Sequence, residues 1–185
     1  GDFLVGELRD ERGRWSRSWQ ADGSPPARHA ALAADHAALV LAFQRLAELT
    51  GEARWVEAAI ATADTMLDWF WDPIQGGLYT TAEDPDELVL RQKDLFDNAT
   101  PSPNSLAADG LLRLAALTGE QRYRNHADRI FQLLATVIAE SPGAASNAVL
   151  GIETRSRGLA ELAVVGDAPD LVPLAQMLWR PDIVL

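Results

Sequence analysis

Apolar residues recur at intervals of three and four along two pairs of segments, which predicts four amphipathic helices. In the first segment, Leu32, Leu39 and Phe43 fall on one helix face. A Thr-Gly dipeptide separates the two segments of each pair, and glycine favours the left-handed conformation that ends a helix. The pattern therefore predicts two αα-hairpins. Their helices are expected over residues 28–50, 53–71, 104–117 and 121–139.

The two hairpins share a sequence repeat. Residues 45–55 read RLAELTGEARW and residues 113–123 read RLAALTGEQRY, so the offset is 68 residues. A single hairpin cannot bury both faces of its helices, and repeated hairpins are expected to stack on one another. Gly51 and Gly119 are predicted to have positive φ angles because each ends an apolar-periodic helix.

The remaining segments have weaker patterns. Alternation of bulky and polar residues over 14–19 predicts a strand, and the run 22–26 (DGSPP) interrupts the chain. A fifth, shorter helix is expected over 144–157. The chain then reads as strand 161–167, helix 170–179 and strand 182–185, a βαβ pattern whose strands usually pair in parallel. We thus predict a helical unit over 1–158 and a short βαβ tail over 159–185.

One long connection joins the hairpins. It covers residues 76–104 (GGLYTTAEDPDELVLRQKDLFDNATPSPN), with two short β-like runs and a turn predicted at 84–86. A link of this length inside a compact domain is uncommon and usually functional or disordered. Its aromatic and β-branched residues argue against disorder.

Composition excludes several classes of partner. The formal net charge is −11, so a phosphate backbone is repelled and nucleic acid is not expected as a partner. Without cysteine the chain has no disulfide, thiolate metal site or Cys nucleophile. No apolar run approaches the length of a membrane span, and no signal peptide is visible, so we expect a cytoplasmic protein with no membrane contact. The three histidines lack metal-ligand spacing, and no metal or cofactor is expected.

Three motifs carry a family resemblance over residues 32–185. They are the repeated Leu-Thr-Gly-Glu-x-Arg-aromatic turn, Trp71-Asp72 followed by GGLYTTAED at 76–84, and KDLFDNATPSPNS at 93–105. With these motifs the chain resembles the C-terminal part of the YyaL-type thioredoxin-domain-containing proteins, the spermatogenesis-associated protein 20-like family. Asn98 and Pro103 stand where that family has glycines.

The resemblance implies a mainly α fold whose hairpins form part of an (α/α)6 toroid. That toroid is similar to N-acylglucosamine 2-epimerases and six-hairpin glycosidases. Two hairpins correspond to its closing portion, and in the family an N-terminal thioredoxin-like domain comes first. The implied activity is that of a sugar epimerase, isomerase or glycosidase. The alternative is a non-catalytic scaffold that binds a ligand or a protein. The expected partners are a sugar or polyol, a second copy, or the missing N-terminal domain.

His36 is a candidate catalytic residue. It lies on the apolar face of the first helix, and a histidine with a carboxylate beside it, here Asp35, can act as a general base near neutral pH. The alternative is a core histidine whose ring is satisfied by a backbone carbonyl.

The end of the long connection supplies further candidates. In a toroid, such return loops gather at one end of the central cavity. Asp97 and Asn98 are expected to hydrogen-bond a sugar or polyol, while Glu83 or Asp94 supplies acid–base chemistry. The alternative is that Asp97 and Asn104 cap helices and brace the loop.

The repeat offset joins these candidates into one predicted site. It places Asp35-His36 opposite Pro103-Asn104, so the loop 93–104 is expected to form one wall of a polar cavity. Trp71 and Tyr79 could supply an aromatic floor for a sugar ring, with packing as their alternative role. The predicted catalytic residues are His36, Glu83 and Asp97, and the predicted ligand-binding residues are Asp35, Trp71, Tyr79, Lys93, Asp94, Asn98 and Asn104.

Overall fold

The computed structural model describes residues 1–83, 90–166, 170–177, 180 and 182–185. The predicted turn at 84–86 lies outside the described residues, as do Asp167 and Trp179 at the ends of predicted elements. The chain is mainly helical, as expected. Its helices are α1 Asp2–Glu7, α2 Ala33–Thr50, α3 Ala53–Phe70, α4 Pro103–Thr118, α5 Gln121–Glu140, α6 Ser146–Arg157 and α7 Leu171–Met177. Its strands are β1 Ser16–Trp19, β2 Ala27–Ala30, β3 Ala160–Glu161 and β4 Ile183–Val184, and a 3₁₀ turn covers Pro142–Ala145.

The two predicted hairpins are present, and they stack through their first helices. Helix α2 packs on α3, α4 packs on α5, and α4 lies between α2 and α6. The helices α2, α4 and α6 therefore form one row, with α3 and α5 on its flank. Apolar side chains of both hairpins meet in one buried core. Its largest fully buried members include Phe43, Met66, Leu111, Tyr123 and Leu134.

Small residues allow a close approach between α2 and α4. A Cβ atom added at Gly110 would lie 3.1 Å from Val40 Cγ1, so a larger residue there would push the helices apart. Gln44 Nε2 donates a hydrogen bond of 2.8 Å to the carbonyl of Gly110 across the same seam. The two hairpins are thus in close contact, and the hydrogen bond from Gln44 fixes the position of α2 along α4.

Helix α2 begins at Ala33, and the prediction that it starts at residue 28 is wrong. Residues 27–30 instead form β2, which pairs antiparallel with β1. The backbone groups of β1 need a partner, and this requirement outweighs the helix propensity of the Ala-rich run. Asp35 marks the true start of the helix, because its carboxylate accepts a 2.8 Å hydrogen bond from the backbone N–H of Leu32.

Two further expectations need correction. The β-like runs of the long connection do not form strands in its described part, where an isolated bridge joins Trp71 to Leu78. In the tail, β3 and β4 pair in parallel as predicted, but each is two residues long. The N–H of Leu162 still donates to the carbonyl of Val184 at 2.9 Å, but the described residues after Leu162 lie outside this short sheet. A strand there would have no partner for its backbone groups.

The segment that begins with α1 makes the same interactions as the end of α3. Comparison of the two sequences does not reveal this relation. Asp2 of α1 forms an ion pair with Arg54, and Asp64 of α3 forms the matching pair with Arg122 at 2.7 Å. Each arginine also lies over the aromatic ring next to it, Trp55 or Tyr123, at 4.2 and 4.3 Å. Helix α1 thus corresponds to the second helix of a hairpin, and it stands before α3 as α3 stands before α5.

The turns after α1 and α3 are also equivalent. The carboxylate of Asp10 accepts hydrogen bonds from two backbone N–H groups of its turn, at 2.9 and 2.7 Å. Asp72 does the same at 2.8 and 3.1 Å. Gly13 and Gly76 have φ angles of +78° and +79°, and each turn closes with an isolated bridge, Arg9 to Trp15 or Trp71 to Leu78. The chain therefore contains a third, partial copy of the hairpin unit.

Alanine in place of either hairpin glycine should destabilise the fold. Gly51 and Gly119 have φ angles of +68° and +72°, as predicted, and a Cβ atom at either position meets no neighbour within 4 Å among the described residues. The cost of Gly51→Ala should therefore come from the backbone alone, about 1–2 kcal/mol of unfolding free energy. Urea denaturation measures it.

Gly143→Ala is the matched control, because its Cβ is equally unobstructed and its φ is not positive. Equal effects of the two substitutions would contradict the assignment of strain to the left-handed backbone.

Candidate functional site

The turn that follows α3 is organised by the buried carboxylate of Asp72. Its Oδ1 accepts hydrogen bonds from the backbone N–H groups of Ile74 and Gln75, and its Oδ2 accepts from the hydroxyl of Tyr79 at 3.0 Å. Oδ2 also accepts a 2.7 Å hydrogen bond from Lys93 Nζ. The carboxylate has four donors, which is close to the capacity of its two oxygens.

Lys93 brings the end of the long connection back onto this turn. Its ammonium donates to Asp72 and, at 2.7 Å, to the carbonyl of Gly76. The side chains of Lys93 and Asp72 are 10% and 5% exposed, so this ion pair is buried. Burial by itself would raise the pKa of Asp72, but hydrogen bonds from Lys93, the turn and Tyr79 outweigh it and hold that pKa well below its usual range.

Tyr79 lies between the turn and two cations of the connection. The Arg91 guanidinium lies 4.2 Å from the ring centroid and Lys93 Nζ lies 5.1 Å from it. The hydrogen bond to Asp72, together with burial, raises the pKa of the phenol. Arg91 also donates to the carbonyls of Trp69 and Thr81, at 3.0 Å each. The ring of Tyr79 is therefore held by groups of the chain itself.

Asn104 of α4 is fully buried and bonds to the connection on every side. Its Oδ1 accepts from the backbone N–H of Leu78 at 2.7 Å, and its Nδ2 donates to the carbonyls of Leu78 and Asp94 at 3.1 and 3.0 Å. Both amide hydrogens and the oxygen are used. Gly77 is needed beside it, because a Cβ there would lie 2.9 Å from Asn104 Oδ1 and 2.4 Å from Leu133.

Asp97 links the amino ends of two helices. One carboxylate oxygen accepts a 2.8 Å hydrogen bond from the backbone N–H of Ser102, the residue that caps α4. The other accepts a 2.8 Å bond from the N–H of Asn147, in the first turn of α6. A carboxylate at a helix amino end also interacts favourably with the helix dipole. The backbone N–H of Asp97 donates to Ala144, which fixes the residue from a third direction.

His36 lies inside the first turn of α2 and is 3% exposed. Its Nδ1 is 2.9 Å from the carbonyl oxygen of Leu32, so Nδ1 carries the hydrogen, and its ring centroid is 4.8 Å from that of Phe70. Burial lowers the pKa of His36, partly offset by the Leu32 carbonyl and by Asp35. The imidazole is therefore neutral at pH 7.

The other predicted residues have more exposed surroundings. Glu83 is 77% exposed and lies 3.9 Å from Arg91. Asp94 and Asn98 are exposed and make hydrogen bonds within the loop, to the N–H and carbonyl of Phe96. Trp71 is half-buried, with the His126 ring 4.6 Å away and the Arg129 guanidinium 5.2 Å away. Asp35 caps α2 and lies 3.6 Å from Arg17.

The structure thus brings Tyr79, Lys93 and Asn104 together around one turn. It places His36, Glu83 and Asp97 in three different surroundings. Sequence reasoning missed Asp72 as the centre of this cluster, although an Asp directly after a helix and before Pro-x-x-Gly is typical of a turn cap. Its partner Lys93 lies 21 residues away, and no spacing rule predicts that contact.

The fold and this site define the chain as a helical-hairpin repeat protein. Its long connection braces the amino ends of α4 and α6. Over 157 residues, which make up 82% of its length, the chain is 32% identical to spermatogenesis-associated protein 20 of Mus musculus. The Homo sapiens and Rattus norvegicus proteins are 32% and 31% identical over the same length. The chain is therefore similar to spermatogenesis-associated protein 20 over most of its own length, and the resemblance expected from its motifs is confirmed.

This chain spans about 20% of the length of these curated relatives. No protein-family model matches it. Among the described residues, no helix combines the length and the apolar character needed to cross a membrane.

Lys93→Met should destabilise the protein strongly, because it leaves the Asp72 carboxylate buried without its cation. Removing one partner of a buried ion pair typically costs about 3–5 kcal/mol. Thermal and urea denaturation of Lys93→Met, Asp72→Asn and the double variant give the coupling between the two side chains. The double variant should lose less stability than the sum of the single variants.

Arg17→Met is the control, because its contact with Asp35 is long and half-exposed. It should cost less than about 1 kcal/mol. A similar small loss for Lys93→Met would show that the buried pair contributes little.

His36 should make stability depend on pH in the acid range. The unfolded chain takes up a proton near the ordinary histidine pKa of about 6.5, whereas burial lowers the pKa in the folded chain. The contribution of the neutral ring is therefore fully present above about pH 6.5 and is lost as the pH falls below that value. The melting temperature of the parent should fall more between pH 7 and pH 5 than that of His36→Asn. Parallel pH profiles would contradict this expectation.

Proposed function

We propose that this chain is a non-catalytic scaffold section of a helical-hairpin domain, which binds a ligand or a protein partner through its surface. The bonding of Asp97 carries this proposal. Both oxygens of this predicted catalytic carboxylate accept backbone N–H groups, one at each of two helix starts. A carboxylate used in this way is a structural cap, and proton transfer would break the bonds that hold the loop.

The bonds of Asn104 and Lys93 support the same interpretation. Asn104 uses both amide hydrogens and its oxygen in bonds to the loop, and the Lys93 ammonium is bound to Asp72 and Gly76. Polar residues that a sugar-binding site would direct at its ligand are here directed at groups of the chain itself. Their role in the scaffold is to hold the connection against the amino ends of α4 and α6.

We also propose that the hairpins form an arc of an (α/α)6 toroid similar to N-acylglucosamine 2-epimerases and six-hairpin glycosidases. The row of α2, α4 and α6, with α3 and α5 on its flank, supports this arrangement. The 68-residue repeat supports it as well.

A second candidate function is sugar epimerisation, isomerisation or glycoside hydrolysis, with His36 as the base. The observation that favours it is a small cavity beside the neutral imidazole, lined by Trp15, Trp69 and Arg14 among others. Its volume of about 10 Å³ is that of a single water. A sugar ring would therefore have to bind outside this cavity and reach His36 through an opening.

Asp97→Ala distinguishes the two functions. A structural cap leaves two backbone N–H groups unpaired when removed, and each such loss typically costs about 1–3 kcal/mol. The scaffold proposal therefore expects a clearly lower melting temperature for Asp97→Ala, and no binding of glucose by the parent in calorimetric titration. Asp94→Ala is the control, since the side chain of this exposed residue accepts a long hydrogen bond of 3.3 Å and its loss should change stability little.

The opposite pattern would support the second candidate. In that case the parent binds glucose, and Asp97→Ala and His36→Ala lose binding while melting like the parent.

A further inference from the structure

The indole N–H of Trp15 is buried, and no residue in the described part of the chain accepts a hydrogen bond from it. Trp15 is 3% exposed, so bulk solvent does not reach this group either. Buried polar groups are normally bonded to the protein or to an ordered water, because an unpaired donor costs free energy. The chemistry around this N–H therefore indicates what kind of molecule binds there.

The small cavity beside His36 is also lined by Trp15. Its walls come from the segment before β1, from α2 and from α3, which contribute the polar side chains of Trp15, His36 and Thr65. Trp69 adds an aromatic surface, and the guanidinium of Arg14 lies over that ring at 4.7 Å from its centroid. The volume of about 10 Å³ admits one molecule of the size of water.

Two of the polar side chains that line the cavity can accept a hydrogen bond. The Nδ1 of His36 carries a hydrogen toward the Leu32 carbonyl, so Nε2 is an acceptor, and it has no hydrogen bond to any described residue. The Thr65 hydroxyl donates to the carbonyl of Ala61 at 2.9 Å, and its oxygen keeps lone pairs that can accept. One donor and two acceptors therefore line the cavity at these three residues.

The internal repeat supports a link between Trp15 and His36. Trp15 and Leu78 form the isolated bridges that close the turns after α1 and α3, and His36 is equivalent to Asn104 at the offset of 68 residues. In the second copy the two positions are bonded directly, because the Asn104 amide bonds to the N–H and carbonyl of Leu78 at 2.7 and 3.1 Å. In the first copy the carbonyl of Trp15 accepts from the N–H of Ala31 instead, at 2.9 Å.

We propose that one internal water molecule binds in this cavity and bridges Trp15 to His36. The water accepts a hydrogen bond from Trp15 Nε1–H and donates its two hydrogens to His36 Nε2 and Thr65 Oγ1. Three hydrogen bonds are typical of a buried water. The water makes in the first copy the link that Asn104 makes directly in the second, and it joins the segment before β1 to α2 and α3.

The polar groups and the volume select water over other small ligands. A carboxylate or phosphate has too many atoms for the cavity and would face the acceptors of His36 and Thr65. A metal ion would leave the N–H of Trp15 unpaired, because an indole N–H is a donor and not a ligand. A hydroxyl group of a larger molecule shares the hydrogen-bonding chemistry of water, and the experiment below separates the two sources. The inference goes beyond the scaffold proposal and does not depend on it.

NMR of the whole chain, labelled with ¹⁵N in its tryptophan side chains, tests the proposal. The Nε1–H of Trp15 should show a nuclear Overhauser effect to water with the sign that marks a long-lived bound molecule. The Nε1–H of Trp55 is an internal control in the same sample. Trp55 is 4% exposed and its N–H also lacks an acceptor among the described residues, but it does not line this cavity and should show no such signal.

Addition of glucose separates a bound water from a ligand hydroxyl. The water signal of Trp15 should stay unchanged. Its loss on titration would assign the cavity to a hydroxyl of the sugar and would overturn the proposal. A parent that binds glucose in calorimetric titration and keeps the water signal would contradict the scaffold function but support the internal water.

Magnetic relaxation dispersion of water oxygen-17 counts the long-lived internal waters. Trp15→Phe removes the donor and keeps an aromatic ring, so the count should fall by one relative to the parent. Trp55→Phe is the matched control and should leave the count unchanged. An equal count in Trp15→Phe and the parent would overturn the proposal.

A high-resolution crystal structure of the parent decides the question if Trp15→Phe fails to fold. It should show a water oxygen within about 3.2 Å of both Trp15 Nε1 and His36 Nε2. A dry cavity, or an indole N–H of Trp15 without a bound-water signal in the NMR experiment, would overturn the proposal.

Discussion

The amino ends of three neighbouring helices impose the constraint on which this structure depends. Each helix start leaves backbone N–H groups without a partner inside the helix, and these groups must find acceptors when the end is covered. The long connection supplies them. Thr80 accepts from the first residue of α2, Ser102 accepts from the first turn of α4, and Asp97 accepts from the first turn of α6. The connection is therefore ordered by the helices that it serves.

The buried ion pair of Asp72 and Lys93 keeps that connection in place. It joins the turn after α3 to the last part of the connection, and Tyr79 and Asn104 add bonds on either side of it. A buried pair of this kind adds little net stability compared with apolar packing, but the loss of one partner is costly. Its main effect is to specify one path for the chain. The equivalent turn at Asp10 also accepts two backbone N–H groups but has no lysine partner, and the connection from α1 to α2, residues 8–32, is somewhat shorter than that from α3 to α4, residues 71–102.

Comparison of the repeated units shows which polar side chains serve the fold. Asp10 and Asp72 cap the same turn, and Asp2 and Asp64 bind equivalent arginines, so these carboxylates follow from the architecture. His36 and Asn104 are equivalent by the repeat, and both are buried at helix starts with bonds to backbone groups. Residues that recur in this way are weak evidence for catalysis, because each copy of the hairpin needs them.

The sequence alone determined the hairpins, their turns and their repeat. Periodicity at three and four residues is a local property, and the positive φ of Gly51 and Gly119 follows from the helix-ending pattern before each glycine. The start of α2 could not be found in this way, because whether residues 27–30 join a helix or a strand depends on the backbone of β1. Lys93, Asp97 and Asn104 were selected from the sequence as site residues, and in the structure their side chains hydrogen-bond to groups of the chain itself. Whether Asp97 faces a ligand or two helix ends was decided by the packing of α6 beside α4, since an isolated carboxylate has the same chemistry in either place.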